Sequence, residues 1–479
     1  MVFSSTLFLF LFLPVTLLVY YLLKDKYKNI WLLIASLVFY SWGEAKFVYF
    51  MMASIVFNYF FAIGIAKYDG QKLKKKILLI LSLSVDLGLL LYFKYFDFLL
   101  NSVNSVLSFV QSKSVLDVRQ IALPVGISFY TFQIISYVVD VYRNEVKPQR
   151  NILNLAMYKT LFPQLVAGPI VRYADIEDQI THRTYPIDKV ADGCFRFMIG
   201  FSKKVLIANN VATLADLAFS KGSSLTCAFA WVGAAAYALQ IYFDFSGYSD
   251  MAIGLGKMLG FDFLENFDYP YISRNIKEFW RRWHISLSSW FRDYLYIPLG
   301  GNRKGQRRTY INLAIVFFMT GLWHGASMNF IVWGLYHGAF LILERVKVTG
   351  KFINKLPPFL GRIYALLVVL IGWVFFRADN LSAALVYLKK MFTFSHLGVG
   401  YAFSNFNVEI TVFFAAGLLF SAPIFKRLLL RIEKIKADGG VRLASSLTIG
   451  VDVAIAVVFF ISVLYVSGSN FNPFIYFRF

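Results

Sequence analysis

Long apolar runs separated by short basic connectors dominate the pattern of this chain. Residues 5–23 carry no charged side chain, and residues 447–466 carry only Asp452. A helix of about 20 apolar residues matches a hydrocarbon core about 30 Å thick. The pattern therefore predicts an all-α, polytopic membrane protein, and we expect about twelve transmembrane helices.

Three of the apolar stretches are interrupted by residues that favour irregular backbone. Residues 124–126 (Pro-Val-Gly) open one stretch, residues 167–169 (Ala-Gly-Pro) close another, and residues 243–247 (Phe-Asp-Phe-Ser-Gly) break a third. Irregular backbone at membrane depth is tolerated only where it is buried in protein or lines a wet cavity. We therefore predict re-entrant or tilted helices around a central polar site, within one transmembrane domain over residues 1–479.

The composition excludes soluble enzyme folds. Hydrophobic residues make up 58% of the chain and charged residues 16%, whereas soluble domains carry about 25% charged residues. The net charge of +21 would suggest a nucleic-acid partner in a soluble protein. In membrane proteins, however, basic residues accumulate in cytoplasmic loops. We assign the charge to topology in a lipid bilayer and expect no nucleic-acid partner.

Basic residues beside the first and last apolar runs predict the orientation of the chain. Lys24, Lys26 and Lys28 follow the first run, and residues 426–442 precede the last run with six basic and two acidic side chains. Both connectors are predicted to be cytoplasmic, because short loops rich in Lys and Arg remain inside. This places the N-terminus and the C-terminus on the outer face of the cell membrane.

A basic block over residues 271–308 is also rich in tryptophan. It contains nine Lys or Arg side chains together with Trp280, Trp283 and Trp290. One interpretation is an amphipathic helix at the cytoplasmic interface, anchored by Trp and with Arg at the lipid headgroups. The other is a docking surface for a phosphate-bearing donor such as coenzyme A or a phosphopantetheine arm.

The second interpretation gives specific roles to three neighbouring residues. Arg281, Arg282 and Trp283 would face the cytosolic donor. Arginine forks bind phosphate oxygens bidentately, and coenzyme A carries several phosphates. The residues by themselves leave the interfacial and the donor-binding interpretations equally open.

Two of the five histidines are candidates for catalysis. His324 ends an apolar run between Gly321 and Gly325, which would let a backbone or a substrate approach closely. An imidazole at this position could take a proton from an attacking hydroxyl. The alternative is a hydrogen-bonded core histidine. His284 lies in the basic block, where the pattern favours neither a catalytic nor an interfacial role.

Motifs of other chemistries are missing from the sequence. There is no Gly-x-Ser-x-Gly elbow, P-loop or His-Glu-x-x-His zinc helix. Cys194 and Cys227 are too few for a disulfide framework or a zinc site, so we expect no metal. A permease for a polysaccharide precursor is the alternative from a different class, because broken helices are common in transporters.

Five segments of the chain resemble the membrane-bound O-acyltransferase family, in particular its bacterial alginate O-acetyltransferase branch. They are PVGISF at 124–129, FPQLVAGPI at 162–170, YFDFSGYSD at 242–250, FWRRWHISLS at 279–288 and GLWHGA at 321–326. The resemblance implies a helical membrane fold around a tunnel that joins the cytosol to the exterior. By motif it also implies that His324 is the active-site histidine at the narrow point of the tunnel, and that His284 is a second functional histidine.

The aromatic tail over residues 467–479 extends the resemblance. Its last six residues, FIYFRF, resemble the aromatic terminus of bacterial transferases of this group or of their small partner peptides. The resemblance implies that Tyr476 is an acyl relay carried by the chain itself. A plain interfacial aromatic belt is the alternative.

The function implied by the resemblance is transfer of an acyl group, in particular acetyl, across the membrane for O-acylation of a cell-surface polysaccharide. The expected donor is acetyl-CoA or an acyl carrier protein thioester, and no cofactor is expected to stay bound. A secreted or membrane-anchored acyltransferase with a serine-type site is the expected partner. D-alanylation of teichoic acid is the alternative within the same superfamily.

Overall fold

The computed structural model describes residues 1–111 and 121–468, and within these ranges the chain is helical, with no strand. The predicted all-α class is confirmed. The helices of the first half are α1 (Leu13–Leu22), α2 (Asp25–Glu44), α3 (Val48–Lys67), α4 (Lys72–Leu90), α5 (Phe96–Gln111), α6 (Ile127–Arg143), α7 (Ile152–Thr160), α8 (Phe162–Leu165), α9 (Tyr173–Thr181), α10 (Ile187–Ser202), α11 (Asn209–Ser220) and α12 (Cys227–Met258).

The second half continues in the same way. Its helices are α13 (Ile276–Arg282), α14 (Ile285–Phe291), α15 (Gly305–His324), α16 (Met328–Arg345), α17 (Lys347–Lys355), α18 (Pro358–Arg377), α19 (Leu381–Met391), α20 (Val399–Ser404), α21 (Val408–Phe420), α22 (Ile424–Ala437) and α23 (Val441–Gly468). π-Helical turns occur at Phe8–Phe12, Leu91–Tyr95, Lys203–Ala208 and Arg292–Tyr296, and 3₁₀ turns at Ala45–Phe47, Gly222–Ser224, Pro270–Ile272 and Phe394–His396.

Four helical stretches of the described chain are long and apolar enough to cross a membrane. They are Asp25–Lys67, Lys72–Ser108, Pro358–Arg377 and Val441–Gly468. The pair α21 and α22 adds a fifth if it is counted as one span bent by 57°. The remaining helices are shorter or more polar. A multi-pass membrane protein is therefore confirmed, whereas the number of about twelve crossings stays a prediction.

Helix α12, with 32 residues, runs without interruption through the protein interior. The predicted break at residues 243–247 is wrong. Gly247 serves close packing instead, because a Cβ atom on Gly200 of α10 would lie only 2.5 Å from the Gly247 carbonyl oxygen. Asp244 is buried and forms an ion pair with the buried Lys204 at 2.7 Å. A paired charge can be held inside a regular helix, so no irregular backbone is needed to expose it.

The other two predicted interruptions are present. Gly126 has φ of 78° and directly precedes α6, and Gly168 has φ of 104° after α8. Both values lie in the left-handed region that favours glycine. A Cβ atom on Gly126 would also lie 2.6 Å from the carbonyl oxygen of Leu165. The break at Gly126 therefore packs against the end of α8, just before the break at Gly168.

Basic connectors that are distant in sequence meet in the structure. Lys75 donates hydrogen bonds to Asp69 and, at 2.8 Å, to Asn144 at the end of α6. The hydrogen bond from Lys75 lowers the pKa of the exposed Asp69 carboxyl. Arg143 donates to the backbone oxygen of Asp293 at 3.0 Å. These contacts bring together three segments that carry basic side chains: residues 67–76, residues 143–150 and the basic block. Such proximity is expected for loops on one side of a membrane.

The basic block does not form the amphipathic helix with tryptophan anchors that one of its two interpretations required. It folds as the short helices α13 and α14 and the π-helical turn Arg292–Tyr296. Trp280, Trp283 and Trp290 are all buried, at 9%, 3% and 7% exposure. Trp290 stacks on Phe132 with ring centroids 3.8 Å apart. The indoles point into the protein because they pack there against other aromatic rings. This packing removes more apolar surface from water than a position at the membrane interface would.

Candidate active site

His324 is the last residue of α15 and is 5% exposed. Its imidazole stands among three aromatic rings, with centroids 4.9 Å from Trp323, 5.0 Å from Trp333 and 5.0 Å from Phe376. Its Nδ1 atom is buried and has no hydrogen-bond partner within residues 1–111 and 121–468. Buried polar groups normally have a hydrogen-bond partner. The alternative that His324 is a hydrogen-bonded core histidine is therefore not supported at Nδ1.

The glycines beside His324 let a helix approach closely. A Cβ atom on Gly321 would lie 2.4 Å from the carbonyl oxygen of Phe330 in α16, and one on Gly325 would lie 2.3 Å from the Phe330 ring. Gly334 of α16 is packed in the same way against Phe317. The close approach predicted from these glycines is confirmed for the backbone, which fixes the turn that carries His324.

His284 sits at the turn between α13 and α14 and is 1% exposed. Its φ of 44° lies in the left-handed region, which is uncommon for a residue with a side chain. Its Nδ1 lies 3.1 Å from Oδ1 of Asn266, which also accepts a hydrogen bond from Ser286 Oγ at 2.8 Å. An amide oxygen can only accept, so the network assigns the proton to Nδ1 and leaves the lone pair on Nε2.

The two histidines meet around Trp323. The His284 ring lies 6.2 Å from the indole of Trp323 and the His324 ring 4.9 Å from it, measured between centroids. Phe129, from the start of α6, contacts both His284 at 6.5 Å and Trp323 at 5.4 Å. Three motifs separated by up to about two hundred residues in sequence therefore converge on one aromatic cluster.

Two cavities border this cluster. A smaller one of about 80 Å³ is lined by His324, Trp323, Ser128 and the break at Gly126. A larger cavity of about 380 Å³ is lined by Phe376 and by Gly325, the residue after His324. The polar side chains that line it are Lys94, Tyr237, Gln240, Ser327, Asn329, Arg377 and Asp379. A buried imidazole beside a polar cavity can remove a proton from a hydroxyl bound there.

The donor-binding candidates differ in their surroundings. Arg281 is exposed. Arg282 is already held by two carboxylates, Asp268 at 2.9 Å and Glu278 at 3.0 Å. Trp283 is buried against Trp373 with centroids 4.8 Å apart. Of the three, Arg281 has its guanidinium available for a phosphate, while Arg282 and Trp283 hold the segment in place.

Sequence reasoning missed three residues of this region. Lys94 lines both cavities, Asn266 holds His284, and Gln240 lines the larger cavity with a buried Oε1 that has no partner in the described chain. A signal existed for Lys94, since an ionisable residue in an apolar stretch is a functional candidate by default. No spacing signal marks Asn266 or Gln240.

Two further expectations concern the tail and metals. Tyr476 and the rest of the FIYFRF terminus lie outside the described residues, so the relay stays a prediction. Within the part of the chain that the structure describes, no three His, Cys, Asp or Glu side chains come together to hold a metal ion.

Comparisons with known proteins identify the family of the chain. Residues 38–385 match the membrane-bound O-acyltransferase family. The chain is 44% identical to the probable alginate O-acetylase of Azotobacter vinelandii, over the full length of both. It is 40% identical to the peptidoglycan O-acetyltransferase of Helicobacter pylori, covering 82% of this chain and 80% of that one.

A more distant similarity links the chain to the teichoic acid D-alanyltransferase of Bacillus subtilis. The two are 32% identical over 45% of this chain and 57% of the relative. The family match covers more than half of the chain, and the similarity to the O-acetylating relatives extends over nearly all of it. The chain belongs to the membrane-bound O-acyltransferase family and is a membrane O-acyltransferase.

Proposed function

We propose that the protein transfers an acetyl group from a cytosolic thioester donor to hydroxyl groups of a cell-surface polysaccharide. The relative from Azotobacter vinelandii, which matches over the full length, is named for O-acetylation of alginate, and the relative from Helicobacter pylori for O-acetylation of peptidoglycan. The D-alanyl transferases are similar over less than half of the chain, which favours acetyl over D-alanyl. Membership of an acyltransferase family favours an enzyme over the permease alternative.

The observation that carries this proposal is the buried His324, which lines the smaller cavity and is followed by Gly325, which lines the larger one. Its imidazole takes the proton of the attacking hydroxyl while the oxygen forms a bond to the thioester carbonyl carbon. The carbon–sulfur bond breaks, and the proton passes on to the thiolate that leaves. General-base assistance of this kind contributes about 10²–10⁴ in rate. His284, with its Nε2 lone pair free of a partner in the described chain, is the second functional imidazole.

The donor enters from the cytosolic side, and acetyl-CoA is the proposed donor. Support comes from the basic block, where the exposed Arg281 lies on α13, two residues before the buried Trp283. A phosphate bound by Arg281 would gain charge-assisted hydrogen bonds. Arg282 and Trp283 shape this region by holding the end of α13 against Asp268 and Trp373, and Arg282 also pairs with Glu278 one turn earlier in the same helix. An acyl carrier protein thioester carries the same phosphopantetheine arm and is the other donor to test.

The acceptor hydroxyl enters from the outer side. The larger cavity can hold such a hydroxyl, because its polar lining includes the amide of Gln240 and the guanidinium of Arg377. The first acceptor is the phenol of Tyr476, which passes the acetyl group on to the serine-type partner enzyme and so to the polysaccharide. Both termini lie outside in this scheme, and the site sits in the cell membrane.

The proposal is tested with the purified full-length protein in proteoliposomes. Labelled acetyl-CoA or labelled acetyl carrier protein is supplied on one side, and acetylated protein, released thiol and acetylated polysaccharide are measured. Donor-dependent release of thiol with label on the protein or polymer supports the acetyltransferase. No release of thiol from either acetyl donor, or transfer only when a D-alanyl carrier protein replaces the acetyl donor, would contradict it.

A further inference from the structure

A π-helical turn carries the lysine that touches the end of the His324 helix. The turn Leu91–Tyr95 lies between α4 and α5, inside an otherwise regular apolar stretch. π-Helical turns inside helices are rare and frequent at functional sites. Here the turn presents Lys94 and Tyr95 side by side toward the C-terminus of α15.

The two side chains satisfy three consecutive carbonyl oxygens. Lys94 Nζ donates to the backbone oxygen of Trp323 at 2.5 Å and to that of His324 at 3.3 Å. The Tyr95 hydroxyl donates to the backbone oxygen of Leu322. The last four carbonyls of a helix have no partner within the helix, and a cation is favoured at its negative end. The contact therefore fixes the last turn of α15.

Lys94 also ties this turn to a second element of the site. Its third hydrogen bond goes to Ser128 Oγ at 3.2 Å, in the first turn of α6 after the break at Gly126. All three protons of the ammonium group are thus directed to residues that surround the cavities. Lys94 lines both the smaller and the larger cavity, so it stands where they adjoin.

We propose that Lys94 is a positioning residue for His324, clamping the end of α15 to the start of α6 so that the imidazole keeps its place at the smaller cavity. The inference rests on the proposed role of His324 as the base. Displacement of a catalytic group by about 1 Å costs about 10²-fold in rate. A lost clamp therefore reduces the chemical step and leaves donor binding by Arg281 unchanged.

The test compares Lys94→Met, Lys94→Arg and Tyr95→Phe in the proteoliposome assay. Lys94→Met keeps the length of the side chain and removes the ammonium group. It is expected to lower kcat about 30- to 100-fold with the donor KM within about twofold of wild type. Lys94→Arg keeps a charged hydrogen-bond donor, and its kcat is expected to be at least tenfold higher than that of Lys94→Met.

Tyr95→Phe is the matched control, because it removes one hydrogen bond to the same helix end but not the contact to His324. It is expected to retain kcat within about threefold and to lower the thermal midpoint less than Lys94→Met, because it removes one hydrogen bond and Lys94→Met removes three. Equal losses of kcat in both variants, an unchanged kcat in Lys94→Met, or a raised KM would overturn the positioning role. If Lys94→Met is not recovered in membranes, the same comparison is made with Lys94→Gln.

Failure of this inference is separable from failure of the proposed function. A wild-type protein that releases no thiol from any acetyl thioester contradicts the function itself. An active wild type with a fully active Lys94→Met contradicts only the clamp.

Discussion

The Nδ1 atom of His284 lies 3.1 Å from the side-chain oxygen of Asn266, and this contact assigns the tautomer of the imidazole. Asn266 is fully buried and also holds the backbone of the turn, since Ile285 donates to its carbonyl oxygen at 2.9 Å. The left-handed conformation of His284 is thus maintained by a residue eighteen positions earlier. The hydrogen bond made by one ring nitrogen of a histidine sets which of the two nitrogens carries the proton.

We predict that Asn266→Leu lowers acetyl transfer about 10- to 100-fold, because His284 loses the acceptor that fixes its tautomer. Thiol release by purified protein measures the effect. Ser249→Ala is the control, since Ser249 accepts from the other end of the same amide at 3.0 Å and does not contact His284. An Asn266→Leu variant as active as Ser249→Ala would show that the amide is merely structural.

His324→Ala is expected to abolish acetyl transfer while leaving membrane insertion intact. Loss of a general base typically costs about 10²–10⁴ in rate. The measurement is acetylation of the surface polymer at matched protein levels, with His182→Ala as control, because His182 is exposed and outside the site. Near-normal acetylation by a well-inserted His324→Ala variant would remove His324 from the mechanism.

Neutralising Arg281 and Arg282 is expected to give different results. Arg281→Gln should raise the donor KM about tenfold with little change in kcat, because its exposed guanidinium is free to meet phosphate. Arg282→Gln should lower the thermal midpoint, because it breaks the contacts with Asp268 and Glu278. Steady-state kinetics and thermal unfolding in detergent separate the two. A lower kcat with unchanged KM in Arg281→Gln would contradict donor binding.

The Lys204–Asp244 pair offers a stability test. Removing one partner leaves an uncompensated buried charge, which typically costs about 3–5 kcal/mol. Lys204→Met alone and Asp244→Leu alone are expected to destabilise the protein strongly, and the double variant to recover most of the loss. Thermal unfolding in detergent checks this. Additive losses in the double variant would show that the two charges do not depend on each other.

Tyr476→Phe tests the relay. The phenol is a poor nucleophile at neutral pH, with a reference pKa of about 10, so it needs a base. Under the relay hypothesis the variant loses polymer acetylation, and mass spectrometry finds an acetyl ester on Tyr476 in the wild type but not in His324→Ala. Phe474→Leu is the control for the aromatic belt alternative. Full polymer acetylation by Tyr476→Phe would end the relay hypothesis.

The sequence by itself determined the membrane class and the positions of two breaks. Apolar runs must be covered by lipid or protein whatever the tertiary arrangement, so their length predicts helices directly. Gly126 and Gly168 adopt left-handed backbone, which glycine tolerates best, so a local signal sufficed. The roles of His324 and His284 could be predicted because their motifs match a family. The spacing of the two residues does not by itself indicate a chemistry.

The tertiary structure decided what the same residue types do in different places. Gly247 resembled a break but serves packing against Gly200, and Trp290 resembled an interfacial anchor but stacks on Phe132. A glycine or a tryptophan has the same local preferences in both settings. Only the partner that the fold brings to it, from a distant part of the chain, decides which preference is used. The same holds for Lys94, whose role depends on the end of a helix more than two hundred residues away.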